Sequence, residues 1–522
     1  MSASDSDVAQ PTPGGRAPTP FPLRLDERAI RALRRALEEA GFTEQAVCER
    51  NDAASIYDFR TSRERHEESD PPSDALGTLI RLFMDGEPVD RSLAERWLGD
   101  GVRAATELGL ARAHPSRPEL LVATTLLYPT QGLYIASDLE HDPAADGDDA
   151  FALPVDAVYP AIAKSTQVFL SLLPDPACDR FLDLCTGTGI AALCAAPSAN
   201  EAIAADVTER SVAFARFNAA LNGADNVQVF RGDLYEAVTG TFDHIVAHPP
   251  YMPALEQKLV YRDGGEDGEQ VTRRVIEGLP RHLRPGGRLD CTCIMTDRRQ
   301  APIEKRVRAM LGDAHTEFDV LVVVSQINTP VEAYARLVRE GRVGFGEGAA
   351  YVRRFDALDI EQLVGCALII TRHTAERPPV TVRRGRSPAT DAAAIEWMLR
   401  WMEASTDAAL PAKLLDAKPE LSTRARLELG YAAGDGGWQP GDYRLHVDAP
   451  FAMSIDLTGE TAAFLARCNG AITVAEHVEQ MKQAGIVPAD MEPVAFAGFV
   501  RSLAVGGFLS VAPPQPPMST VG

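Results

Sequence analysis

The sequence lacks an excess of positive charge. Its 522 residues include 52 Lys and Arg against 74 Asp and Glu, which gives a formal net charge of −22. A protein that wraps nucleic acid by neutralising phosphates normally presents a basic face. The balance therefore favours a protein, peptide or small-molecule partner, and RNA is less favoured because it would need a local basic patch.

Long hydrophobic runs are also missing. No apolar run approaches the ~18 residues that a membrane-spanning helix needs, so we expect no membrane partner. The first residues, MSASDSDVAQPTPGGRAPTP, lack the basic-then-apolar order of a secretory signal and predict a disordered tail over residues 1–25. These absences predict a cytoplasmic protein.

Closely spaced cysteines are nearly absent. None of the eight cysteines belongs to a CxxC pair, the usual spacing of a zinc or redox site. Cys291 and Cys293 are close, and they lie on one face of a predicted strand. We expect buried, reduced thiols at these positions and predict no metal site.

The first structured region that the sequence predicts is helical. An amphipathic helix pattern over residues 26–41 is followed by further helical patterns and by two strand-like runs, ELLVATTLLYP and GLYIASDLE. Helices that close on a small β-ribbon predict a winged-helix-like accessory domain over residues 26–150. Its last part, residues 141–150, has the composition of an acidic surface loop.

Residues 151–375 alternate apolar strands with amphipathic helices. This order predicts an α/β domain with a doubly wound, Rossmann-like sheet of parallel strands. The predicted strands are RFLDLCT, EAIAADV, VQVFRGD, HIVAHPP, RLDCTCIM, EFDVLVVVSQ and CALIITR.

A Pro- and Arg-rich linker is predicted at residues 376–390, followed by a C-terminal domain at 391–522. The helical patterns of this domain and its Gly506-Gly507 turn favour a winged-helix-like fold. Trp397 and Trp401 stand one turn apart on a predicted helix. We expect them to serve core or interdomain packing, with a stacking platform as the alternative.

A glycine-containing turn ends the first strand of the α/β region. The segment Asp183-Leu-Cys-Thr-Gly187-Thr-Gly189 leads directly into an Ala-rich helix. Glycines at such a turn let the backbone approach a ligand, with helix N–H groups pointing at it. The spacing differs from GxGxxG, which argues against a dinucleotide site, and a plain tight turn is the alternative interpretation.

The following strands also end in polar residues. The second ends at Asp206, the third at Asp233, and the fourth in the sequence AHPPY. Parallel strands meet with their carboxyl ends at one edge of a sheet, where α/β folds bind ligands. We therefore expect one crevice, with Asp206 placed as the acid that takes ribose hydroxyls.

The stretch FDHIVAHPPYMP, residues 242–253, places two prolines directly after a strand. Adjacent prolines cannot continue a sheet, so they predict a rigid turn with His248 before it and Tyr251 after it. Such a turn can hold a flat polar substrate group, although an ordinary strand-ending loop would have the same pattern.

Over residues 155–300 the chain resembles class I S-adenosylmethionine-dependent methyltransferases with an Asn-Pro-Pro-Tyr/Phe motif. This branch includes release-factor glutamine methyltransferases and small-domain rRNA methyltransferases. The resemblance rests on DLCTGTG, ARFNAALNG, GDLYEAV, FDHIVAHPPY and RDGGEDGEQ with its later Pro285-Gly286-Gly287 turn. The segments RDGGEDGEQ and Pro285-Gly286-Gly287 are most similar to the release-factor enzymes.

The resemblance implies S-adenosyl-L-methionine as the cofactor. It places Gly187 and Gly189 along the methionine part, Asp206 at the ribose and Asp233 near the adenine amino group. Asp183 and Cys185 belong to the same implied cofactor site. Asn218 and Asn222 are expected to brace the helix and the turn that follows it rather than to touch the ligand.

The resemblance also implies that His248, Pro249 and Tyr251 form the catalytic turn. In the family the first position is Asn or Asp, whose oxygen and the proline carbonyl accept hydrogen bonds from a planar NH2 group. Here it is His248, which could grip an N–H group, act as a general base, or mark a changed or lost activity.

These observations favour an enzyme that methylates a protein, peptide or small metabolite at nitrogen, with the HPPY turn positioning the acceptor. The alternatives are an rRNA base N-methyltransferase and a methyltransferase-fold scaffold without turnover.

Overall fold

The computed structural model describes residues 23–61, 71–145, 151–174, 177–256, 258–339, 344–434 and 436–511. Most of the predicted tail at 1–25 and half of the predicted loop at 141–150 lie outside these residues. Within the described ranges, no helix combines the length and the apolar character needed to cross a bilayer. The same ranges hold no cluster of three or more His, Cys, Asp or Glu side chains suited to a metal ion.

The accessory region begins with helices. They are α1 (Glu27–Glu39), α2 (Glu44–Arg50), α3 (Ala75–Leu79, continued by a π-helical turn at Ile80–Met84), α4 (Arg91–Leu98) and α5 (Asp100–Glu107). The predicted first helix corresponds to α1, which begins where the Asp26 side chain accepts a hydrogen bond from the Ala29 N–H group. Its buried face contributes Ile30, Leu33 and Leu37 to the local core.

Short strands complete the accessory region. They are β1 (Val89–Asp90), β2 (Ala111–Ala113), β3 (Leu120–Ala123), β4 (Leu126–Thr130) and β5 (Leu133–Ser137). The run ELLVATTLLYP, predicted as one strand, is divided into β3 and β4, because β3 pairs with β1 and β2 while β4 forms a separate hairpin with β5. The winged-helix-like assignment of this region stays a prediction.

An eight-stranded sheet forms the centre of the molecule. Its strands are β6 (Cys178–Leu184), β7 (Ala199–Asp206), β8 (Val227–Arg231), β9 (Phe242–Ala247), β10 (Leu283–Arg298), β11 (Phe318–Asn328), β12 (Ile360–Arg372) and β13 (Thr381–Gly385). Their order across the sheet is β13-β11-β12-β10-β9-β6-β7-β8. All seven predicted strands are present.

Helices cover both faces of this sheet. They are α6 (Lys164–Leu172), α7 (Ile190–Ala195), α8 (Glu209–Asn222), α9 (Gln270–His282), α10 (Ile303–Met310), α11 (Pro330–Arg339) and α12 (Phe345–Ala357). On one face, α9 and α10 share a core with β9 and β10 that includes the buried thiols of Cys291 and Cys293. The predicted burial of these two cysteines is confirmed.

The expectation of an entirely parallel sheet is wrong at β12. Strands β6 to β10 pair in parallel, but β12 lies between β10 and β11 and is antiparallel to both. Two helices, α11 and α12, connect β11 to β12. Val338 near the end of α11 lies beside Gly348 near the start of α12, and the earlier Tyr334 contacts the later Phe355, so the two helices run antiparallel. An antiparallel helix pair returns the chain to the same edge of the sheet at which β11 ended. The next strand, β12, therefore runs in the direction opposite to β11.

The segment predicted as a linker at 376–390 contains strand β13. Residues 381–385 pair in parallel with β11 at the sheet edge. The side chains of β13 are half-buried, as an edge position allows. Pro has no N–H group to donate within a central strand, so the Pro- and Arg-rich segment is compatible with an edge position.

The C-terminal region packs against the sheet and against itself. Its elements are α13 (Ala392–Ala404), α14 (Leu410–Lys413), β14 (Glu420–Leu421), β15 (Arg426–Gly434), β16 (Gly437–Val447), β17 (Met453–Leu457), α15 (Gly459–Leu465), α16 (Val474–Gln483), α17 (Pro493–Val505) and β18 (Leu509–Ser510). Trp401 is buried in the C-terminal core, and Trp397 packs beside it and against the sheet. The packing role predicted for this pair is confirmed, while the winged-helix-like assignment stays a prediction.

Candidate active site

A cavity opens where the strand order reverses. Strand β6 has β7 on one side and β9 on the other, so the loops that follow β6 and β9 diverge and leave a crevice at their carboxyl ends. The cavity there has a volume of about 1100 Å³. Eight of the nine residues assigned from the sequence line it: Asp183, Cys185, Gly187, Asp206, Asp233, His248, Pro249 and Tyr251.

The turn between β6 and α7 has a left-handed backbone at three positions. The φ angles are +58° at Cys185, +54° at Gly187 and +84° at Gly189. Gly187 borders the cavity, and no atom lies within 4 Å of the place where its Cβ would stand. The glycine therefore combines a backbone that side chains rarely adopt with open space for a ligand beside it.

Gly189 differs from its sequence-based assignment, because it lies outside the residues that line the cavity. A Cβ at this position would stand 3.2 Å from the Cβ of Ala215 on α8. Its small size instead allows the start of α7 to lie close to α8. Sequence spacing could not separate this packing role from ligand contact, since both require glycine.

Asp183 is a buried carboxyl at the end of β6. The Thr186 hydroxyl and the Ala192 N–H group both donate to its Oδ2 atom. Burial raises the pKa of Asp183 to about 7, against the opposing effect of these donors. Asp183 thus joins the end of the strand to both sides of the turn.

Asp206 is buried at the end of β7 and faces the glycine turn. Its carboxylate accepts hydrogen bonds from the N–H groups of Gly187 at 3.1 Å and Thr208 at 3.0 Å. Burial raises its pKa, while these donors oppose the shift. The Thr208 hydroxyl also donates to Oδ1 at 3.3 Å, and the Ser211 side chain hydrogen-bonds to the same carboxylate. These backbone and hydroxyl donors together hold Asp206 in place beside the cavity.

Asp233 follows β8 and pairs with a residue that the sequence interpretation did not include. The Arg274 guanidinium on α9 donates to Asp233 Oδ1 at 3.0 Å and lies 2.9 Å from Oδ2. Both residues line the cavity and both are partly exposed. The partner could not be identified from spacing, because α9 meets the end of β8 only in the folded chain.

Three aromatic rings pack together at the HPPY turn. The His248 ring lies 5.6 Å from Tyr251 at 24° and 5.3 Å from Phe169 of α6 at 32°, measured between centroids and planes. The ring of His248 has no hydrogen-bond partner among the described residues, and burial lowers its pKa to about 4. Ser165, also on α6, lowers the pKa of Tyr251 through a hydrogen bond, although burial raises it overall.

The segment after the turn folds back onto it. Met252 N–H donates to the Arg262 carbonyl at 2.9 Å, and Gly264 N–H donates to the Met252 carbonyl at 2.8 Å. A Cβ on Gly264 would stand 2.6 Å from the Pro250 carbonyl oxygen, and one on Gly268 would stand 2.5 Å from that of Tyr251. The glycines of the RDGGEDGEQ segment therefore allow its backbone to support the HPPY turn directly.

Asn218 and Asn222 brace α8, as predicted. Asn218 Nδ2 donates to the carbonyls of Thr188 in the glycine turn and of Ala136 in β5, and its Oδ1 accepts from the Ala136 N–H group. Asn222 makes the equivalent pair of bonds to Tyr134. These bonds also attach the accessory region to α8, a function that the sequence did not indicate.

A family model for the methyltransferase small domain matches residues 159–318. These residues contain the glycine turn, both acids after β7 and β8, and the HPPY turn. The central region is a class I S-adenosylmethionine-dependent methyltransferase domain.

Curated relatives of this methyltransferase domain come from archaea and bacteria. A putative protein N5-glutamine methyltransferase of Methanocaldococcus jannaschii is 35% identical over 132 residues, which cover 24% of this chain and 66% of the relative. The ribosomal protein uL3 glutamine methyltransferase of Bradyrhizobium diazoefficiens is 38% identical over 138 residues, covering 23% of this chain and 43% of the relative. The release factor glutamine methyltransferase of Deinococcus radiodurans is 38% identical over 136 residues, covering 24% and 47%. The chain thus spans less than two thirds of the length of these relatives.

The residues at the cavity of the methyltransferase domain fit a nucleoside sulfonium cofactor. Gly187 leaves open space beside the turn, and the carboxyl group of Asp206 borders the cavity. The cavity volume of about 1100 Å³ lies near the upper end of the usual range for small-molecule sites, about 300–1,000 Å³. The cofactor would lie between the glycine turn, Asp206 and Asp233. The HPPY turn would then border the acceptor side.

Proposed function

We propose that the protein is a methyltransferase that transfers a methyl group from S-adenosylmethionine to a side-chain amide nitrogen of a protein, with glutamine as the acceptor residue. One observation carries this proposal: the glycine turn, Asp206, Asp233 and the HPPY turn border one cavity. Glutamine as the acceptor is taken from the names of the relatives. We place the activity in the cytoplasm.

When bound, the cofactor supplies an electrophilic methyl group on a sulfonium. Asp206 would hold it by accepting hydrogen bonds from ribose hydroxyls, and the left-handed turn at Cys185–Gly189 would let the backbone approach its methionine part. Methyl transfer depends chiefly on alignment of the acceptor atom with the methyl group, so rigid positioning is the main contribution of the protein. The acceptor nitrogen would exchange one N–H bond for the new bond to the methyl carbon, its proton passing to water, while the methyl–sulfur bond breaks and the cofactor leaves as a neutral thioether.

His248 and Tyr251 would position the acceptor amide. Because burial lowers the pKa of His248 to about 4, the imidazole is neutral at pH 7 and keeps one acceptor nitrogen and one N–H donor. The nearly parallel rings of His248 and Tyr251 favour a flat group beside them. A group with this pKa accepts protons poorly at neutral pH, so we assign His248 to orientation rather than to general-base catalysis.

Transfer of label from [methyl-³H]S-adenosylmethionine tests the proposal. We expect label in ribosomal protein uL3 or in a release factor, the acceptors named for the relatives. When the glutamines of the labelled acceptor are replaced one at a time by leucine, one of these variants should lose the label. Label in RNA or in small metabolites would contradict a protein acceptor. Absence of label from all these acceptors and from total cell protein would contradict the enzyme assignment.

Asp206→Ala tests the cofactor site. Removal of the hydrogen bonds that hydroxyls donate to a carboxylate weakens binding by roughly 1.5–3 kcal/mol, so the Kd for S-adenosylhomocysteine should rise about 10- to 100-fold in calorimetry. Asp225→Ala changes an exposed acid outside the cavity lining and should leave the Kd unchanged. Because Asp206 also supports the turn, its replacement could disturb the local fold. Asp233→Ala is therefore the second variant, since Asp233 is partly exposed. Unchanged affinity for S-adenosylhomocysteine in both variants would refute the site.

A further inference from the structure

The helical hairpin α11–α12 lies outside the region that matches the methyltransferase family. The family match ends at residue 318, and the hairpin occupies residues 330–357 between β11 and β12. The family model therefore says nothing of its role. Its contacts within this structure connect it to the cavity.

An aromatic cluster fixes α12 against the sheet. The rings of Tyr334 on α11 and Tyr351 on α12 stack at 4.4 Å and 13°, and Phe355 is fully buried beside them. Ile360 and Leu363 of β12 belong to the same cluster. Since β12 is a central strand, α12 has a well-defined position relative to the sheet.

The helix α12 also contacts the segment that follows the HPPY turn. Glu347, Tyr351 and Arg354 stand at positions i, i+4 and i+7, which place them along one side of the helix. The Tyr351 hydroxyl accepts from the Leu255 N–H group at 3.4 Å, and Glu347 Oε1 lies 3.7 Å from Lys258 Nζ. Arg354 forms an ion pair with Glu266.

These three contacts reach both ends of one wall of the cavity. Leu255 and Glu266 line the cavity themselves, and between them so do Val260, Tyr261, Arg262, Asp263 and Gly265. Leu255 is also among the exposed apolar side chains. A shift of α12 would therefore move the wall that borders the HPPY turn, while the glycine turn and Asp206 lie on other strands.

We propose that α12 is a specificity element that holds the cavity wall at residues 254–256 and 258–266 in the conformation that receives the protein acceptor, with Arg354 as a positioning residue. This inference rests on the proposed function. The Arg354–Glu266 pair is partly exposed, and such pairs are individually weak. The three contacts thus bias the conformation of the wall without deciding whether the domain folds.

Arg354→Glu tests the proposal, since it places two acids opposite each other. We expect the KM for the labelled protein acceptor to rise about 3- to 10-fold, with kcat changed less than about 2-fold and the Kd for S-adenosylhomocysteine unchanged. Arg354→Lys keeps the charge and should restore the wild-type KM. Arg353→Glu is the matched control, because the neighbouring Arg353 is exposed and has no ion pair with the described residues.

Hydrogen–deuterium exchange provides a readout that does not need turnover. Arg354→Glu should speed exchange of the amides at residues 254–256 and 258–266, including Leu255, whereas Arg353→Glu and Arg354→Lys should not. Exchange or KM values that are equal for Arg354→Glu and Arg353→Glu would overturn the role of α12. Failure of the wild-type protein to methylate any acceptor would instead remove the proposed function and, with it, the specificity role.

Discussion

At the scale of single residues, His248 is the position where this chain departs from the Asn-Pro-Pro-Tyr/Phe motif of the methyltransferases that it resembles. The family residue is Asn or Asp, whose side chain has an acceptor oxygen. A neutral imidazole also has one acceptor atom and one N–H donor, so the same hydrogen-bonding role is available to a different side chain. Packing against Phe169 and Tyr251 holds the ring in place.

His248→Asn should therefore retain turnover within about 3-fold, because the amide of Asn restores an acceptor and a donor. His248→Phe keeps the aromatic stacking but loses both polar atoms. It should lower kcat about 5- to 100-fold, because leaving the N–H group of the acceptor amide without its partner costs about 1–3 kcal/mol, with cofactor affinity unchanged. Steady-state kinetics and calorimetry check both variants, and a collapse of turnover in His248→Asn would reinstate the general-base hypothesis.

At the scale of elements, the helix α8 connects the accessory region to the glycine turn. Asn218 is fully buried and bonds both to β5 and to the Thr188 carbonyl, while Asn222 bonds to β5 and to the helix. Each residue thus makes two hydrogen bonds to the backbone of the accessory hairpin. Asn218 additionally supports the turn at which the cofactor would bind.

Asn218→Ala and Asn222→Ala separate these two roles. Asn218→Ala leaves the buried backbone groups of Ala136 without partners and should destabilise the protein by about 1–3 kcal/mol, visible as a lower thermal midpoint. Asn222→Ala frees the half-buried backbone groups of Tyr134 and should lower the midpoint less. Asn218→Ala should in addition weaken S-adenosylhomocysteine binding, because the Thr188 carbonyl loses its donor. Equal cofactor affinity in both variants at a temperature where both are folded would argue against a link between the accessory region and the turn.

At the scale of the whole molecule, the buried Asp183 and the half-buried His248 in the cavity give stability opposite dependences on pH. Burial lowers the pKa of His248 to about 4 from 6.5, so the unfolded chain binds its proton first and stability falls as pH drops from 6.5 to 4. Burial raises the pKa of Asp183 to about 7 from 3.8, so stability falls as pH rises from 3.8 to 7. Between these limits the two effects oppose each other.

Single substitutions should expose each dependence. Asp183→Asn removes the cost of ionising a buried carboxyl, so its thermal midpoint relative to wild type should improve as pH rises from 5 to 8. His248→Asn removes the opposite effect, so its relative midpoint should improve as pH falls from 7 to 5. Differential scanning calorimetry at these values checks the signs. Differences that do not change with pH would show that the two side chains keep their ordinary pKa values.

Local patterns were enough to predict the strand ends of the methyltransferase domain. Apolar runs ended at Asp183, Asp206 and His248, and parallel strands bring such ends to one edge, so a shared crevice followed from order along the chain. The same reasoning failed at β12, since an antiparallel helix pair reverses direction without leaving a distinct pattern. It also assigned Gly189 to the ligand, because packing and binding both select a small residue.

The sequence by itself determined which strands form, where the glycine turn lies and which side chains stand at the strand ends, because these depend on hydrophobic periodicity and on the backbone limits of Gly and Pro. Only the tertiary structure decided the partners of those side chains. Arg274 meets Asp233, Phe169 meets His248, and α12 supports the cavity wall across long separations in sequence. Contacts of this kind arise from packing of whole elements, and no local pattern encodes them.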